Sequence, residues 1–218
     1  MVKIDKSIHG MTSEEASKVK IKGHKREVER VEILLGKGIK SEIIGGTIKP
    51  DIRREDGKTE SVKGAKKTQW FLFGPRRVNE SDYFTKEEKQ MFSKFANCWD
   101  TPNPYAEEMS NVIKIDPKKW VRFFIGIDKF DLMVIKDCRD GEWHELNSEV
   151  FLDKLMGQVT EIYFCGTKVV FKGGGEHIWP NQPRRKNGLA LMELDRRQSK
   201  KLSLFHSQLD RIIDCVTK

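Results

Sequence analysis

Between Gly23 and Gln69 the hydrophobic period of the chain switches from helical to extended, and the extended part is cut into short pieces by turn residues. From His24 to Leu35 the pattern is helical: Val28, Val31 and Leu35 fall at i, i+3 and i+7 and make one apolar stripe. Gly36 and Gly38 close it as C-terminal glycines do. Three extended segments follow. Ile39 to Ile44 is rich in β-branched residues and stops at Gly45-Gly46. Thr47 to Arg54 contains Pro50-Asp51, and Lys58 to Lys63 follows the turn signal Glu55-Asp56-Gly57. A fourth, Thr68 to Phe73, is apolar enough for an inner strand and ends at Gly74-Pro75.

The rest of the chain is predicted more coarsely. Thr12 to Glu15 has the composition of a helix cap. Residues 75–84 read as loop. Thr85 to Asn97 reads as a helix, with Thr85 and Glu88 as a capping box and Met91, Phe92 and Phe95 as its buried face. Asp100 to Pro104 is a turn. Trp120 to Ile127 and Phe130 to Ile135 are expected to be strands joined by Asp128-Lys129, and Glu161 to Lys172 a strand pair around Cys165-Gly166. A long loop is expected from Gly173 to Gly188, then one or two basic amphipathic helices from Leu189 to Val216. The class is α/β: a mixed central sheet flanked by helices, with extra strands and C-terminal helices. A length of 218 residues suits one domain, 1–218.

Composition narrows the function classes. Forty-one Lys and Arg against 33 Asp and Glu give a net charge of +8, which favours a polyanionic partner. No apolar run is long enough to span a bilayer, and the N-terminus lacks the apolar core of a secretory signal, so a cytoplasmic protein is expected. Cys98, Cys138, Cys165 and Cys215 are far apart and form no CxxC pair, the pattern of reduced thiols. With His24, His144 and His177 they show no zinc-ligand spacing. Gly173-Gly174-Gly175 is not followed by Gly-Lys-Ser/Thr and is no phosphate loop.

The order helix, strand, Pro-Asp strand, tight turn, strand ending in lysine resembles the catalytic core of the PD-(D/E)XK nuclease superfamily, which includes type II restriction endonucleases and Holliday-junction resolvases. The resemblance covers about residues 23 to 73, within a catalytic core of about 23–135. It implies a Mg²⁺-dependent endodeoxyribonuclease acting on double-stranded DNA, similar to a type II restriction enzyme and expected to be a homodimer. Pro50-Asp51 supplies the Pro-Asp and Lys63 the lysine. The acid two residues before the lysine falls on Ser61, a departure from the family pattern. Some restriction enzymes that look like this carry Ser-Val-Lys and recruit a carboxylate from a nearby helix, which would make Glu80, Asp82 or Glu87 the displaced ligand. The helix glutamate is best matched by Glu27, with Glu29 and Glu32 behind it. On this resemblance Asp51, the Val62 carbonyl and Glu27 are the expected metal ligands, and Asp51, Ser61, Lys63 and Glu27 the catalytic set.

Those residue types suit phosphodiester hydrolysis. Mg²⁺ is held by hard oxygens, and it both activates water and offsets charge on the phosphoryl group. A lysine beside it orients or deprotonates the attacking water. For DNA contact, Lys66, Lys67 and Gln69 follow the lysine directly, and Arg76-Arg77 suit phosphates or base edges. The loop after Gly173 adds Asn181, Gln182, Arg184, Arg185 and Lys186 within a recognition and C-terminal region of about 173–218. A structure-specific nuclease such as a Holliday-junction resolvase, and a non-catalytic DNA-binding module of the same fold, are the alternatives.

One geometric requirement follows. Side chains alternate along a strand, so Ser61 and Lys63 share a face and Glu60 and Val62 take the other. A two-residue turn at Asp56-Gly57 would set Asp51 opposite Val62, away from Lys63. A three-residue loop at Glu55-Asp56-Gly57, with Gly57 left-handed, would set Asp51 opposite Ser61 and beside Lys63. The catalytic reading needs the second register.

Overall fold

The computed structural model describes residues 13–44, 50–65, 68–71, 75–137, 141–173, 184–185, 188–195 and 201–205. In chain order the helices are α1 (Ser13–Gly36), α2 (Pro75–Glu80), α3 (Lys86–Asn97), α4 (Ala106–Ile115), α5 (Pro117–Ile125) and α6 (Ser148–Gly157). The first six strands are β1 (Ser41–Ile43), β2 (Ile52–Arg54), β3 (Thr59–Ala65), β4 (Thr68–Phe71), β5 (Leu132–Asp137) and β6 (Trp143–Asn147). They are followed by β7 (Val159–Cys165), β8 (Lys168–Gly173), β9 (Arg184–Arg185), β10 (Gly188–Asp195) and β11 (Lys201–Phe205). The elements group into two compact units. One joins the chain up to Ala65 with Ile127–Ser148; the other joins Lys66–Gly126 with the chain from Glu149 on.

The first unit is a five-stranded mixed sheet in the order β1-β2-β3-β5-β6 with α1 on one face. Its strands pair antiparallel except β3 and β5, which run parallel from Glu60↔Leu132 to Ala65↔Asp137. Leu34 of α1 packs with Ile52 and Val62 in a small core ringed by Val31, Ile39 and Trp143. Burying each of those three aliphatic side chains contributes about 1.5–3 kcal/mol. The apolar stripe expected on this helix is displaced. Val28 and Leu35 are exposed, and the face toward the sheet runs through Arg26, Arg30 and Leu34 at i, i+4 and i+8. The displacement has an electrostatic cause, because the sheet offers Glu60 on that face.

Arg30 and Glu60 are both fully buried and meet through Nε at 2.9 Å and Nη2 at 3.1 Å. Arg54 also binds Glu60, and Glu145 lies 2.7 Å from both Arg30 and Arg54. Burial alone would raise the Glu145 carboxyl, but hydrogen bonds and charge from Arg30 and Arg54 outweigh it and hold the group at about 2, against an ordinary 4.5. A carboxylate depressed in the folded state contributes stability that is complete above about pH 4.5 and is lost as the pH falls toward 2. Glu145→Gln is therefore expected to lower the urea midpoint at pH 7 and to differ much less from wild type at pH 3. Equal deficits at both pH values would show that Glu145 carries no such linkage.

In the second unit the strands form a sheet in the order β4-β11-β10-β8-β7, with β9 paired to β10, and all of these pairs run antiparallel. The helix expected over Thr85 to Asn97 is found with its capping box complete. Thr85 Oγ1 accepts from the Glu88 amide at 3.2 Å, and Glu88 Oε2 accepts from the Thr85 amide at 2.7 Å. Glu88 also takes Lys119 Nζ at 2.7 Å. Met91, Phe92 and Phe95 are buried as expected, and Phe84 and Phe92 pack on Trp120, with ring centroids 4.3 and 5.9 Å away. The strand pair β7–β8 about Gly166 is also as expected.

Several expectations are corrected. Trp120 to Ile127 is not a strand but mostly helix α5. The Asp116 side chain caps it by accepting from the Lys119 amide at 3.0 Å, Pro117 sits at its first position, and Gly126 at φ 75° stops it. Its buried residues, Trp120, Val121, Phe124 and Ile125, have helical spacing that strand-favouring side chains obscured. The C-terminal helices are absent from the described residues. Strands β10 and β11 occupy Gly188–Asp195 and Lys201–Phe205. Met192, Glu193 and Leu194 are buried in succession, so β10 is covered on both faces there and shows no alternation. Residues 196–200 and 206–218 lie outside the described residues. Thr68 to Phe71 is a strand, but at the edge of its sheet and not inside it. Residues 75–80 form helix α2 where a loop was expected. Helices α4 and α6 were not anticipated. No described helix is long and apolar enough to cross a membrane.

Candidate active site

The β2–β3 hairpin decides where Asp51 points. Ile52 pairs with Glu60 and Arg53 with Thr59. The Arg54 amide donates to the Lys58 carbonyl at 2.8 Å, and the Gly57 amide to the Arg54 carbonyl at 3.0 Å, with Gly57 at φ 83°. This is the three-residue loop with a left-handed glycine, and it places Asp51 across from Ser61. The ladder itself ends at Ile52↔Glu60; the Asp51 amide also donates to the Glu60 carbonyl at 2.8 Å, one residue out of that register, so the backbone is irregular at Asp51 and its side-chain contacts with Ser61 and Lys63 set the face it takes. Asp51, Ser61 and Lys63 therefore share one face, and Glu60, Val62 and Gly64 the other. A side chain at position 57 would strain this backbone, so Gly57→Ala is expected to destabilise by about 1–2 kcal/mol. A urea midpoint equal to wild type would remove the glycine from the account of the register.

The contacts are close. Asp51 Oδ2 accepts from the Val62 amide at 2.7 Å, from Ser61 Oγ at 3.2 Å and from Lys63 Nζ at 3.3 Å. Lys63 Nζ also donates to the Val62 carbonyl at 2.9 Å. The Asp51 side chain is 22% exposed and that of Lys63 is 17%, so the pair is partly shielded yet open to a ligand. Ser61 is fully buried, and its hydroxyl donates to the one carboxylate where the family pattern would add a second. Further along the same face the register puts Met133 and Leu146 in the row of Asp51 and Ser61, and Ile135 and His144 in the row of Lys63.

Glu27 is placed differently from Asp51 and Lys63. Helix α1 lies over the Glu60–Gly64 face, and Glu27 is 3.3 Å from Nδ1 of His24 in the same helix. No described contact joins it to Asp51 or Lys63. Glu29 pairs with Lys136, and Glu32 is exposed. Glu80, Asp82 and Glu87 belong to the second unit and are exposed there. Among the described residues no group of three or more His, Cys, Asp or Glu side chains gathers to hold a metal ion.

Of the expected DNA contacts, Lys66, Lys67, Asn181, Gln182 and Lys186 lie outside the described residues. Gln69 stands on β4 opposite Leu204 of β11, and Arg76 and Arg77 are in α2. Arg184 and Arg185 form β9, which pairs with Leu189 and Gly188 of β10, so part of the expected recognition loop is a strand. The pairing of buried Arg30, Arg54 and Glu60 with the partly exposed Glu145 escaped the sequence reading because its members come from four separate elements. The one available signal was Glu60, an acid at an inward position of a strand.

No family model matches the chain, and no curated protein matches it.

Proposed function

We propose that the protein is a Mg²⁺-dependent endonuclease of double-stranded DNA with a restriction-endonuclease-like first unit, working as a homodimer so that two copies of one site address the two antiparallel strands. One observation carries the reading: Asp51 and Lys63 stand side by side, through the one hairpin register that permits it.

The oxygens present suit the ion. The Asp51 carboxylate and the Val62 carbonyl both lie against Lys63 Nζ, so one cationic group already bridges them. Mg²⁺ typically takes one or two protein oxygens and keeps water or substrate oxygens for the rest, which two hard donors satisfy. When bound, it supplies an activated water and charge stabilisation. The chain's own groups do the positioning. The Val62 amide and the Ser61 hydroxyl hold the Asp51 carboxylate in one orientation. Lys63 offers a proton-transfer group and a positive charge to the scissile phosphate. Ser61 leaves the site one negative charge short of the family pattern, so the metal is held more weakly and a higher Mg²⁺ concentration is needed.

Digestion of supercoiled plasmid with and without Mg²⁺ tests the reading, with discrete linear fragments expected only when the ion is present. A preference for branched substrates without discrete plasmid fragments would favour a structure-specific nuclease. Ser61 in the acid's place favours a second reading, a DNA-binding module without catalysis. Duplex binding independent of Mg²⁺, with no cleavage, would select it.

A further inference from the structure

Ile21, Val28 and Leu35 of α1 stand seven residues apart, the repeat at which side chains of one helix line up against a second helix. Ile21 is 67% exposed, Leu35 64% and Val28 38%. The helix already has an inward face, because Arg26, Arg30 and Leu34 lie against the sheet. At about 100° per residue, Ile21 and Val28 fall on the side directly away from Arg30, with Leu35 next to them. A surface helix normally turns its apolar row inward and its polar residues outward. Here the charged network around Glu60 takes the inward face and leaves the apolar row exposed.

The charges beside the row select what covers it. Lys25 comes three residues before Val28 and Glu32 four after it, on one flank of the row. Both are exposed, and neither has an ion-pair partner among the described residues. A twofold axis at Val28 runs a second copy of the helix antiparallel to the first. Ile21 then falls opposite Leu35 of the partner subunit, and Val28 meets its own copy. Lys25 comes within one residue, about 1.5 Å along the helix, of level with Glu32 of the partner subunit. One register therefore satisfies the apolar row and the charges together, and the Ile21 and Lys25 contacts each occur twice. Parallel helices would instead set lysine beside lysine and glutamate beside glutamate, which is unfavourable.

We propose that the outer face of α1 is a self-complementary surface that pairs two copies of this chain antiparallel, centred on Val28. It rests on the homodimer of the reading above and gives that dimer an interface. The row from Ile21 to Leu35 is only about 21 Å long, so the association is weak and depends on concentration. Sedimentation equilibrium of the full chain over about 1–300 µM protein, at about 50 mM KCl, tests it. Wild type is expected to pass from monomer to dimer across that range. Lys25→Glu and Glu32→Lys are each expected to weaken dimerisation by about tenfold, because each turns two attractive pairs into repulsive ones. These single variants move the net charge in opposite directions, so a loss in both does not come from overall charge. Lys25→Glu/Glu32→Lys restores the pairs with their signs exchanged and should return to within about twofold of wild type. Val28→Lys sets two charges against each other at the axis and should weaken dimerisation by more than about 100-fold. Dimerisation indifferent to these variants overturns the α1 contact and leaves the homodimer standing. A double variant no better than the single ones overturns the antiparallel pairing. A wild type that stays monomeric overturns both contact and homodimer, and a melting temperature lowered by Val28→Lys in that monomer gives the row to another segment of the same chain.

Discussion

Asp51→Ala is expected to abolish Mg²⁺-dependent cleavage of plasmid DNA, and Lys63→Ala to slow it by about 10²–10⁴-fold, the usual range for a positioned proton-transfer group. The two variants fail for different reasons. Asp51 contributes the one carboxylate that the Val62 amide, Ser61 and Lys63 all orient, so its loss also leaves those donors without their acceptor. Lys63 contributes charge and a titratable amine, and Lys63→Arg separates these, because arginine keeps the charge but does not give up a proton. Rescue by arginine would assign Lys63 to charge stabilisation, and no rescue would assign it to proton transfer. Rates should be compared at saturating Mg²⁺, with the melting profile of each variant as a check on folding. Cleavage by Asp51→Ala at the wild-type rate would end the assignment of the site.

The second large effect concerns stability. Glu60→Ala is expected to cost about 3–5 kcal/mol, because it leaves Arg30, with no side-chain exposure, and the nearly buried Arg54 short of their common partner. The value should fall toward the lower end, since Glu145 stays 2.7 Å from both arginines. Replacing both charges with apolar groups, as in Glu60→Leu/Arg30→Met, should recover most of the loss, because the desolvation of an unpaired ion disappears with it. Urea unfolding of the two variants measures this. A single variant as stable as wild type would mean that water reaches Arg30 despite its burial.

The contrast between site and network shows what was legible in the sequence. The hairpin was legible because its cues are local: Asp56-Gly57 marks the turn, and the parity of the strand then fixes which residues face together. Two registers remained open on paper, and the left-handed Gly57 separates them. Helix α3 was legible for the same reason, its capping box lying within four residues. The network was hidden because Arg30, Arg54, Glu60 and Glu145 meet only after the sheet has formed. Helix α5 and strand β10 were misread for a third reason. In α5 the strand-favouring Trp120, Val121, Phe124 and Ile125 masked a helical spacing that was present and that Asp116, Pro117 and Gly126 mark at its ends, and in β10 Met192, Glu193 and Leu194 are buried in succession, so no alternation shows. Glu27 was chosen by spacing along a helix, and spacing does not say which face of the sheet that helix covers.

The parallel pairing of β3 with β5 also has a consequence for biosynthesis. The hairpin carrying Asp51 and Lys63 leaves the ribosome roughly seventy residues ahead of its neighbour. At about 5–20 residues per second the nascent chain waits several seconds with that border of β3 unsatisfied. Lysine at position 63 discourages a stray strand from annealing there during the wait, as charged residues do on bare sheet borders. The same side chain would then guard the newborn sheet before it serves the finished one.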